Sequence, residues 1–546
     1  MSQFTDSNPK ELFQSFMDAI DVSDTLNSFA AIKSGCKSEK GYSAFRNFLF
    51  PSLTFRQGRL FECLDIKVKS TKPIVQDFND EMIISGAGPC GLRAAVEASL
   101  LGYKVTVVEL RSEFSRHNII KTWRCTINDL MGLGLSHYYP AFQPHGHLHL
   151  GIRQIQMCLL KTALLLNVNV MYNTGVCGIV DASVTSDQLY HIWILPAIEA
   201  RKHLKLAEQK DEALTLQPGN TNTEAMVKKN KVDYFEPANS INGAITDQNT
   251  QMSLPFHCLL IGEGESSKMI RNLGFDRKIS KFGEALGIVI NLDFCNNPAE
   301  KKLREYVISR SAADWRDGPL GTLFNLNIEL ENMEYMRGFN THFFVVTVKK
   351  QTLINFGVIK SALPTIKECL QSENLDFNEL KIFARHLATA SNIPEECPFS
   401  QKHGVQIFDF SCKGVCVDQL RFLKCGNTQA PIFPIGDAIQ NPFWPQGLGV
   451  NRGFQSTLDA VYAARLWSTT GDVELVKLER QLAWKVMDWK SFQEESLQTP
   501  DSKTLWNSDP FSRYSHALYK DIHLFEMSNG LLPSVPLRIR QVLNLK

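Results

Sequence analysis

The chain has 546 residues, of which 44% are hydrophobic, and its formal net charge at pH 7 is +1. This length and apolar content allow one large domain plus a smaller one, and they exceed the needs of a single small module. The balanced charge gives no support to nucleic-acid binding or to adhesion to a membrane surface.

Residues 1–80 are predicted to form a helical extension. Leu12, Phe13 and Phe16 recur at the spacing of one helix face. Such an apolar stripe is typical of a helix that packs against the rest of its own chain. We therefore expect this segment to support the main domain.

The next segment carries a strand, a glycine-rich turn and a helix in direct succession. Gly86, Gly88 and Gly91 separate an apolar run ending at Ser85 from an Ala-rich stretch that closes at Gly102. Glycines allow a tight turn and close approach of the backbone to a pyrophosphate, and the helix N-terminus offers free N–H groups to that charge. The pattern therefore predicts a dinucleotide site, because the glycines fall in the strand and helix context that the motif requires.

Glu109 ends the strand that follows this helix. An acidic side chain at this position accepts hydrogen bonds from ribose hydroxyls and repels a 2′-phosphate. The tightly held dinucleotide is thus expected to be FAD or NAD rather than NADP.

A second domain is predicted to interrupt the first one. Three segments read as strands of one antiparallel substrate-domain sheet, namely 189–195, 286–294 and 341–348. The polar stretch 205–251 is predicted to be a surface loop. A strand near 257–264 should return to the dinucleotide-binding sheet.

A second glycine-bearing loop distinguishes FAD from NAD. A predicted buried strand ends at Gly436 and Asp437, and Gly447 and Gly449 precede a helix. The Asp can accept from ribityl hydroxyls, and the glycines let backbone amides approach a flavin ring. An enzyme that binds only NAD has no use for this arrangement, so FAD is favoured over NAD. A flavin-binding role for the loop is likewise favoured over that of a plain Gly/Pro surface loop.

The predicted organisation is a Rossmann-type α/β fold with a mostly antiparallel insertion. After the extension, residues 81–180 form the first part of the FAD-binding domain, and residues 181–424 form the inserted substrate domain. Residues 425–546 form the second part of the FAD-binding domain and C-terminal helices. A helix over 153–166 is predicted to join the halves.

Several longer motifs resemble the flavin domain of the MICAL-type F-actin methionine monooxygenases. They run in order from the Gly86–Arg93 stretch through Ser115–Asn118 to the Phe443–Gly449 stretch and Arg452. The resemblance covers nearly the whole chain. It implies the fold of para-hydroxybenzoate hydroxylase, in which a Rossmann-type FAD-binding domain carries an inserted sheet domain.

The resemblance also implies a role for individual positions. The matched FAD-binding positions are Gly86, Gly88, Cys90, Gly91, Glu109, Leu110, Arg111, Arg116, His117, Asn118, Trp123, Gln154, Val176, Asp437, Pro445, Gly447 and Gly449. Trp444 and Phe443 would wall the flavin ring at the reaction centre, with Tyr335 as a further aromatic beside it. Asp437 would hold the ribityl chain and Val176 would lie near the adenine.

The activity implied by the resemblance is oxidation of methionine on filamentous actin to the sulfoxide, which promotes actin disassembly. NADPH would bind transiently to reduce the FAD, and O₂ would then give a flavin C4a-hydroperoxide that is electrophilic toward a thioether. F-actin, NADPH and O₂ are the partners so implied.

Two alternatives remain open because the sequence departs from the family's pattern. Glu263 stands where an Asp is usual, Lys121 replaces a usual His, and Gln446 stands where Met is preferred. A small-molecule aromatic hydroxylase would also use an inserted sheet domain. A non-catalytic flavoprotein would tolerate all three departures.

The cysteines and termini predict a protein of the cytoplasm. Thirteen cysteines without framework spacing indicate reduced thiols. No zinc-type pairing is apparent in the sequence, so no metal is expected. No stretch reaches the roughly eighteen apolar residues that span a bilayer, and the N-terminus lacks a signal peptide. We expect a cytoplasmic, cytoskeleton-associated protein, with the nucleus possible.

Overall fold

The computed structural model describes residues 8–36, 41–71, 78–116, 118–138, 148–205, 252–281, 285–309, 321–338, 341–401, 404–441, 449–490 and 508–514. The strands are β1 (Glu81–Ser85), β2 (Lys104–Val108), β3 (Ile119–Thr122), β4 (Leu148–Gly151), β5 (Asn169–Met171), β6 (Thr174–Val180), β7 (Tyr190–Pro196), β8 (Met252–Phe256), β9 (Cys258–Ile261), β10 (Arg277–Lys281), β11 (Ala285–Asp293), β12 (Tyr306–Ser309), β13 (Leu330–Arg337), β14 (Thr341–Lys349), β15 (Val405–Asp409), β16 (Cys412–Cys416), β17 (Arg421–Cys425), β18 (Thr428–Pro434) and β19 (Gln440–Asn441).

The α-helices are α1 (Pro9–Asp18), α2 (Val22–Gly35), α3 (Tyr42–Leu49), α4 (Phe55–Ser70), α5 (Pro89–Leu100), α6 (Arg124–Gly132), α7 (Leu135–Tyr138), α8 (Ile152–Leu165), α9 (Lys268–Asn272), α10 (Gly321–Asn325), α11 (Lys350–Asn355), α12 (Ile366–Cys369), α13 (Phe377–Ala390), α14 (Gly449–Thr470), α15 (Val473–Lys490) and α16 (Pro510–Arg513). Short 3₁₀ helices cover Phe50–Ser52, Pro298–Lys302, Ser372–Asn374 and Gly436–Ala438. Among the described residues, no helix has the length and apolar content that crossing a bilayer requires.

A six-stranded sheet in the order β17-β18-β9-β1-β2-β5 forms the centre of the fold. All neighbours pair in parallel except the β17–β18 hairpin. The central strand β1 lies between two neighbours, and four of its five residues are buried rather than every second one. Ile83 pairs with Thr106 on one side and Leu259 on the other. Helix α5 connects β1 to β2 as a parallel crossover requires.

The N-terminal helices share a core with this sheet. Phe13 and Phe16 of α1 and Phe61 of α4 are fully buried and belong to the same apolar cluster as α5 and α8. Side chains cap the starts of α1, α2 and α4, and at α4 Thr54 and Gln57 form a capping box. The helices over residues 9–70 thus act as a packed support for the dinucleotide-binding helix.

The strands predicted for the inserted domain form separate sheets rather than one continuous second sheet. β6, β7 and β8 make a three-stranded antiparallel sheet, whereas β12-β13-β14-β11-β15 make a five-stranded one. The expectation that 189–195 continues the sheet of 286–294 and 341–348 is therefore wrong. Alternation identifies which face of a strand is buried, but it carries no information about the neighbouring strand.

The five-stranded sheet carries its own core under α13. Strands β11 and β14 pair antiparallel from Ala285–Lys349 to Asp293–Thr341. Leu380 and Phe383 of α13 are buried against this sheet. The sheet is antiparallel and covered on one side by helices, which matches the predicted inserted domain of an otherwise parallel α/β fold.

A histidine of β4, His149, connects this strand to the inserted domain. The His149 Nδ1 atom lies 3.1 Å from a carboxylate oxygen of Glu305, and Nε2 lies 3.5 Å from one of Glu334 on β13. Burial opposes the charged ring, but the two carboxylates outweigh it and raise the pKa of His149 to about 9. The imidazolium therefore links the antiparallel β3–β4 pair to the inserted domain at neutral pH.

A buried ionic network anchors α5 to its supports. Arg93 donates to both oxygens of Asp129 at 2.7 and 3.0 Å and to Glu97 at 3.0 Å. The Lys67 ammonium lies 3.3 Å from the same Asp129, and Glu97 accepts from the backbone N–H of Ser508 at 2.8 Å. The four side chains are at most 2% exposed, so each charge depends on its partners.

We predict that Asp129→Ala destabilises the protein by about 3–5 kcal/mol, because it leaves two buried cations short of a counter-charge. Glu62→Ala is the matched control, since Glu62 pairs with Arg59 at 2.7 Å on the surface, and it should cost less than about 1 kcal/mol. Urea unfolding of both variants measures the difference. A loss below about 1 kcal/mol for Asp129→Ala contradicts the role given to the network.

Candidate functional site

A cavity of about 1030 Å³ opens where the carboxyl ends of β1 and β2 meet the start of α5. This is the place where open parallel sheets bind their ligands. Its walls include the β1–α5 turn, the residues after β2, strand β6, the segment after β9 and the loop after β18. Further lining residues come from α8, β11 and the 406–412 segment. Its volume is at the upper end of the range for ligand pockets, which suits a dinucleotide.

The β1–α5 turn has no room for a Cβ at Gly86 or Gly91. Gly86 has φ +101°, and a Cβ there would lie 2.6 Å from the carbonyl oxygen of Gly262. A Cβ on Gly91 would lie 1.9 Å from the carbonyl oxygen of Gly86. Gly88 precedes α5 without any side-chain cap, so the first N–H groups of the helix stay available for an anion.

Glu109 lies at the end of β2 and holds this turn in place. One carboxylate oxygen accepts from the backbone N–H of Ala87 at 2.7 Å, and the other accepts from the N–H of Arg111 at 2.9 Å. The side chain lines the cavity while it is only 8% exposed overall. The carboxylate is thus fixed beside the glycine turn, where a ribose would lie.

The loop after β18 reaches the same cavity and touches the first turn. A Cβ on Gly436, which has φ +59°, would lie 2.9 Å from the Cys90 sulfur, and one on Gly453 of α14 would lie 2.6 Å from it. Asp437 lines the cavity together with the residues of the glycine turn. Two loops that are about 350 positions apart, by subtracting 86 from 436, therefore form one site.

Asp437 is a half-buried carboxyl group whose pKa is raised. Burial raises the pKa of Asp437 to about 6, with Arg116 and Arg277 opposing this and Glu265 adding to it. The carboxyl group is therefore ionised at neutral pH at some cost to stability. A ligand that donates hydrogen bonds to it offsets that cost.

Arg277 on β10 holds the loop that carries Asp437, a role that sequence reasoning missed. Its guanidinium donates to the carbonyl oxygens of Ala438 at 2.7 Å and Gly414 at 3.3 Å, and to the side-chain oxygen of Asn441. The partners lie more than 130 positions away in the sequence, so only the fold reveals the contact.

Glu263 occupies the position where the family usually has an aspartate. The hydroxyls of Ser85 and Ser267 donate to its two oxygens at 2.5 and 2.7 Å. Burial raises the pKa of Glu263, the two hydroxyl groups oppose this, and Glu109 adds to it. The longer side chain is thus accommodated by local hydroxyl donors at the edge of the cavity.

The structure brings most of the predicted FAD-binding positions to the cavity. Those that line it are Gly86, Gly88, Cys90, Glu109, Leu110, Arg111, Arg116, Asn118, Val176, Asp437 and Gly449. Gly91, Trp123, Gln154 and Tyr335 are described but do not line it. His117, Phe443, Trp444, Pro445, Gly447 and also Gln446 lie outside the described residues.

On α8 the cavity-facing amide is Gln156 rather than Gln154. Gln154 accepts from the backbone N–H of Gly151 at 3.1 Å and so caps the helix. Gln156 donates to the carbonyl oxygen of Ala87 at 3.0 Å and lines the cavity. The two positions differ by about 200° around a helix, an angle that the sequence motif alone did not resolve.

Trp123 and Tyr335 have structural partners instead. The backbone N–H of Trp123 donates to the side chain of Asn451 at 2.8 Å, which ties α6 to α14. Tyr335 is 1% exposed in the core of the five-stranded sheet, and its hydroxyl lies 2.8 Å from His342 Nδ1. Neither ring faces the cavity in this structure.

The fold and the cavity define a dinucleotide-binding α/β protein with an inserted antiparallel domain. A family model described as "Mical, Rossman domain" matches residues 285–406. In this structure those residues form β11 to β15 and the helices over them, so the match falls on the inserted sheet and not on the parallel one.

Curated relatives extend this similarity over most of the chain. The mouse [F-actin]-monooxygenase MICAL3 is 29% identical over 562 residues, 97% of this chain and 25% of that protein. Rat [F-actin]-monooxygenase MICAL1 is 28% identical over 529 residues, which are 94% of this chain and 44% of that protein. The zebrafish protein-methionine sulfoxide oxidase mical3b is 30% identical over 440 residues, which are 79% of this chain and 23% of that protein. This chain is thus a homologue of the MICAL proteins that spans about a quarter of the length of the first relative.

Among solved structures, the chondrochloren halogenase CndH, described as a variant of FAD-dependent halogenases, superposes with a TM-score of 0.47 and 11% identity. The superposition covers 83% of this chain and 90% of the halogenase. This similarity is too distant to bear on function.

We predict that Asp437→Asn stabilises the ligand-free protein by about 2–3 kcal/mol at pH 8 but by only about 1 kcal/mol at pH 4.5. Because the folded pKa of about 6 exceeds the ordinary 3.8, the unfolded chain loses this proton first as the pH rises. The free energy that ionised Asp437 costs the folded protein therefore grows between pH 3.8 and 6 and reaches its full value above that range. Asp437→Asn removes this cost.

Urea unfolding at the two pH values measures the effect, and Asp276→Asn, at an exposed position, is the control. A gain for Asp437→Asn that is equal at both pH values contradicts the assignment of a raised pKa to Asp437.

Proposed function

We propose that this protein is an FAD-dependent, NADPH-consuming monooxygenase that converts methionine on filamentous actin to methionine sulfoxide and so promotes actin disassembly. The observation that carries the proposal is the single cavity lined by both glycine-bearing loops, with Glu109 and Asp437 as its two fixed carboxylates. The overall reaction takes methionine, NADPH, a proton and O₂ to methionine sulfoxide, NADP⁺ and water.

The described residues fit FAD. The backbone around Gly86 and Gly88 leaves space and free N–H groups for a pyrophosphate. Glu109 is fixed where it can accept from ribose hydroxyls, and Arg116 supplies positive charge on the cavity wall. Asp437 can accept from the ribityl chain. An acidic residue at the end of the second strand favours a nucleotide without a 2′-phosphate as the resident cofactor.

FAD, when bound and reduced, supplies the capacity to activate O₂ and transfer one oxygen atom. The chain's own contribution is to orient the cofactor and to exclude water from the site. Val289, 1% exposed, and Phe410, 6% exposed, form an apolar wall of the cavity on the side of the inserted sheet. The parallel rings of Phe408 and Phe410, with centroids 6.4 Å apart, extend this wall toward the surface. Excluding water there protects the oxidising species until a thioether arrives.

Two observations support a protein substrate. The curated relatives that match 92–97% of this chain are named for F-actin. Phe408 is 39% exposed at the rim of the cavity, where it can meet a side chain presented from outside.

The test begins with an anaerobic spectrum of the purified protein. We expect a bound flavin absorbing near about 450 nm that bleaches on addition of NADPH. Under air, F-actin should stimulate NADPH oxidation, and mass spectrometry should find about 16 Da added to an actin methionine.

Three outcomes contradict the proposal. Stable FAD binding without reduction by NADPH indicates a non-catalytic flavoprotein. Stimulation by phenols with a hydroxylated product, and none by actin, indicates an aromatic hydroxylase. A protein that takes up no FAD on reconstitution removes the proposal altogether.

We further predict that Gly91→Ala lowers the FAD content at least tenfold, because its Cβ would lie 1.9 Å from the Gly86 carbonyl oxygen and would open the turn. Gly58→Ala is the matched control within a helix, since its Cβ would make ordinary contact with Phe50 at 3.5 Å. Absorbance of the purified variants measures FAD, and circular dichroism separates lost binding from lost fold. Full FAD content in Gly91→Ala contradicts the role of the turn.

A further inference from the structure

A cluster of three metal-ligating side chains lies at the far end of β11, outside the cavity. It consists of Cys295, Glu300 and Cys397, whose ligand atoms all lie within 4.8 Å of one another. We call it the Cys295 cluster. Cys397 and Glu300 are 0% and 2% exposed, and none of the three lines the cavity. We propose that the Cys295 cluster is a zinc-binding site.

The distances within the cluster are those of a small coordination site. The two sulfur atoms are 3.2 Å apart, and the Cys397 sulfur is 3.0 Å from a Glu300 carboxylate oxygen. Atoms bound to one tetrahedral Zn²⁺ at about 2.0–2.3 Å lie roughly 3.3–3.8 Å apart. The cluster therefore needs to open by about half an ångström to seat the ion. Neutral thiols gain little from such close contacts, because they are weak donors and weak acceptors.

Apart from the Cys397 thiol, two groups hold Glu300 in place through one carboxylate oxygen. The backbone N–H of Cys295 donates to Oε1 at 3.0 Å, and His342 Nε2 lies 2.9 Å from the same atom. The hydroxyl of Tyr335 lies 2.8 Å from the other ring nitrogen of His342 and fixes the ring. A carboxylate oriented in this way is typical of the hydrogen bonding behind metal ligands. It also gives a use to Tyr335, which is not at the cavity.

The charge balance favours a divalent cation. Zn²⁺ binding would displace the thiol protons, and the two thiolates and one carboxylate would then carry a charge of −3, most of which the divalent cation neutralises. The guanidinium of Arg385 donates to the carbonyl oxygen of Cys397 at 3.0 Å and adds positive charge nearby. Two thiolates with a carboxylate suit Zn²⁺, which takes sulfur and oxygen ligands in tetrahedral sites. Three protein ligands leave the fourth position to a water molecule.

A zinc ion here would join three separate parts of the inserted domain. Cys295 follows β11, Glu300 lies in the 3₁₀ helix Pro298–Lys302, and Cys397 precedes β15. Binding would release the two thiol protons and add the free energy of metal binding to folding. The site does not depend on the proposed function, since it shares no residue with the cavity.

The test is elemental analysis of the full chain purified under reducing conditions and then exposed to Zn²⁺ alone. We expect about one zinc ion per chain in the wild type, and less than about 0.2 in Cys397→Ser. Cys369→Ser is the matched control, because Cys369 is equally buried in the same domain and its thiol contacts the Leu363 carbonyl oxygen at 3.3 Å. The control should keep its zinc.

If Cys397→Ser fails to fold, a second measurement on the wild-type protein still tests the site. Wild-type protein titrated with Co²⁺ should show absorption between about 600 and 750 nm, beyond that of flavin, as tetrahedral sulfur-containing sites do. FAD content measured in the same samples keeps this result separate from the proposed function. Zinc below about 0.2 per chain after loading overturns the proposal. So does a Cys295–Cys397 disulfide in metal-free protein, or unchanged zinc in Cys397→Ser.

Discussion

The contact between the start of α5 and the turn that precedes it governs the site. A Cβ on Gly91 would lie 1.9 Å from the carbonyl oxygen of Gly86, so the turn closes only because both residues are glycine. That closure aims the first N–H groups of α5 into the cavity and brings Cys90 against Gly436 and Gly453. The buried pair of Arg93 and Asp129 then fixes the same helix from behind. The site and its support are thus built on one helix.

Much of the parallel sheet could be predicted because its signals are local. An apolar strand, a glycine turn, a helix and an acidic strand end follow one another within about thirty residues, and each supports the others. The sequence points to Glu109 and Asp437 because each stands within three residues of the end of a strand, and the two strand ends meet at one edge of the sheet. The partner of β7 could not be predicted in this way, since alternation identifies a buried face and leaves the neighbouring strand open.

The residues that sequence reasoning missed depend on contacts between distant parts of the chain. Arg277 reaches Ala438 across 161 positions, and the Cys295 and Cys397 sulfur atoms meet across 102. No short spacing rule detects such pairs, which is why a zinc-type pattern was not expected from the sequence. Gln156 in place of Gln154 is a different case, because the motif gave the helix but not its rotation about its axis.

The central claim is that two distant glycine-bearing loops enclose one molecule of FAD. Titration of the apoprotein with FAD, followed by flavin fluorescence, tests it most directly. We predict saturable quenching with a stoichiometry of about one FAD per chain, which ADP weakens by competing for the adenosine half. Absence of saturable binding, or binding that ADP leaves unchanged, contradicts the account.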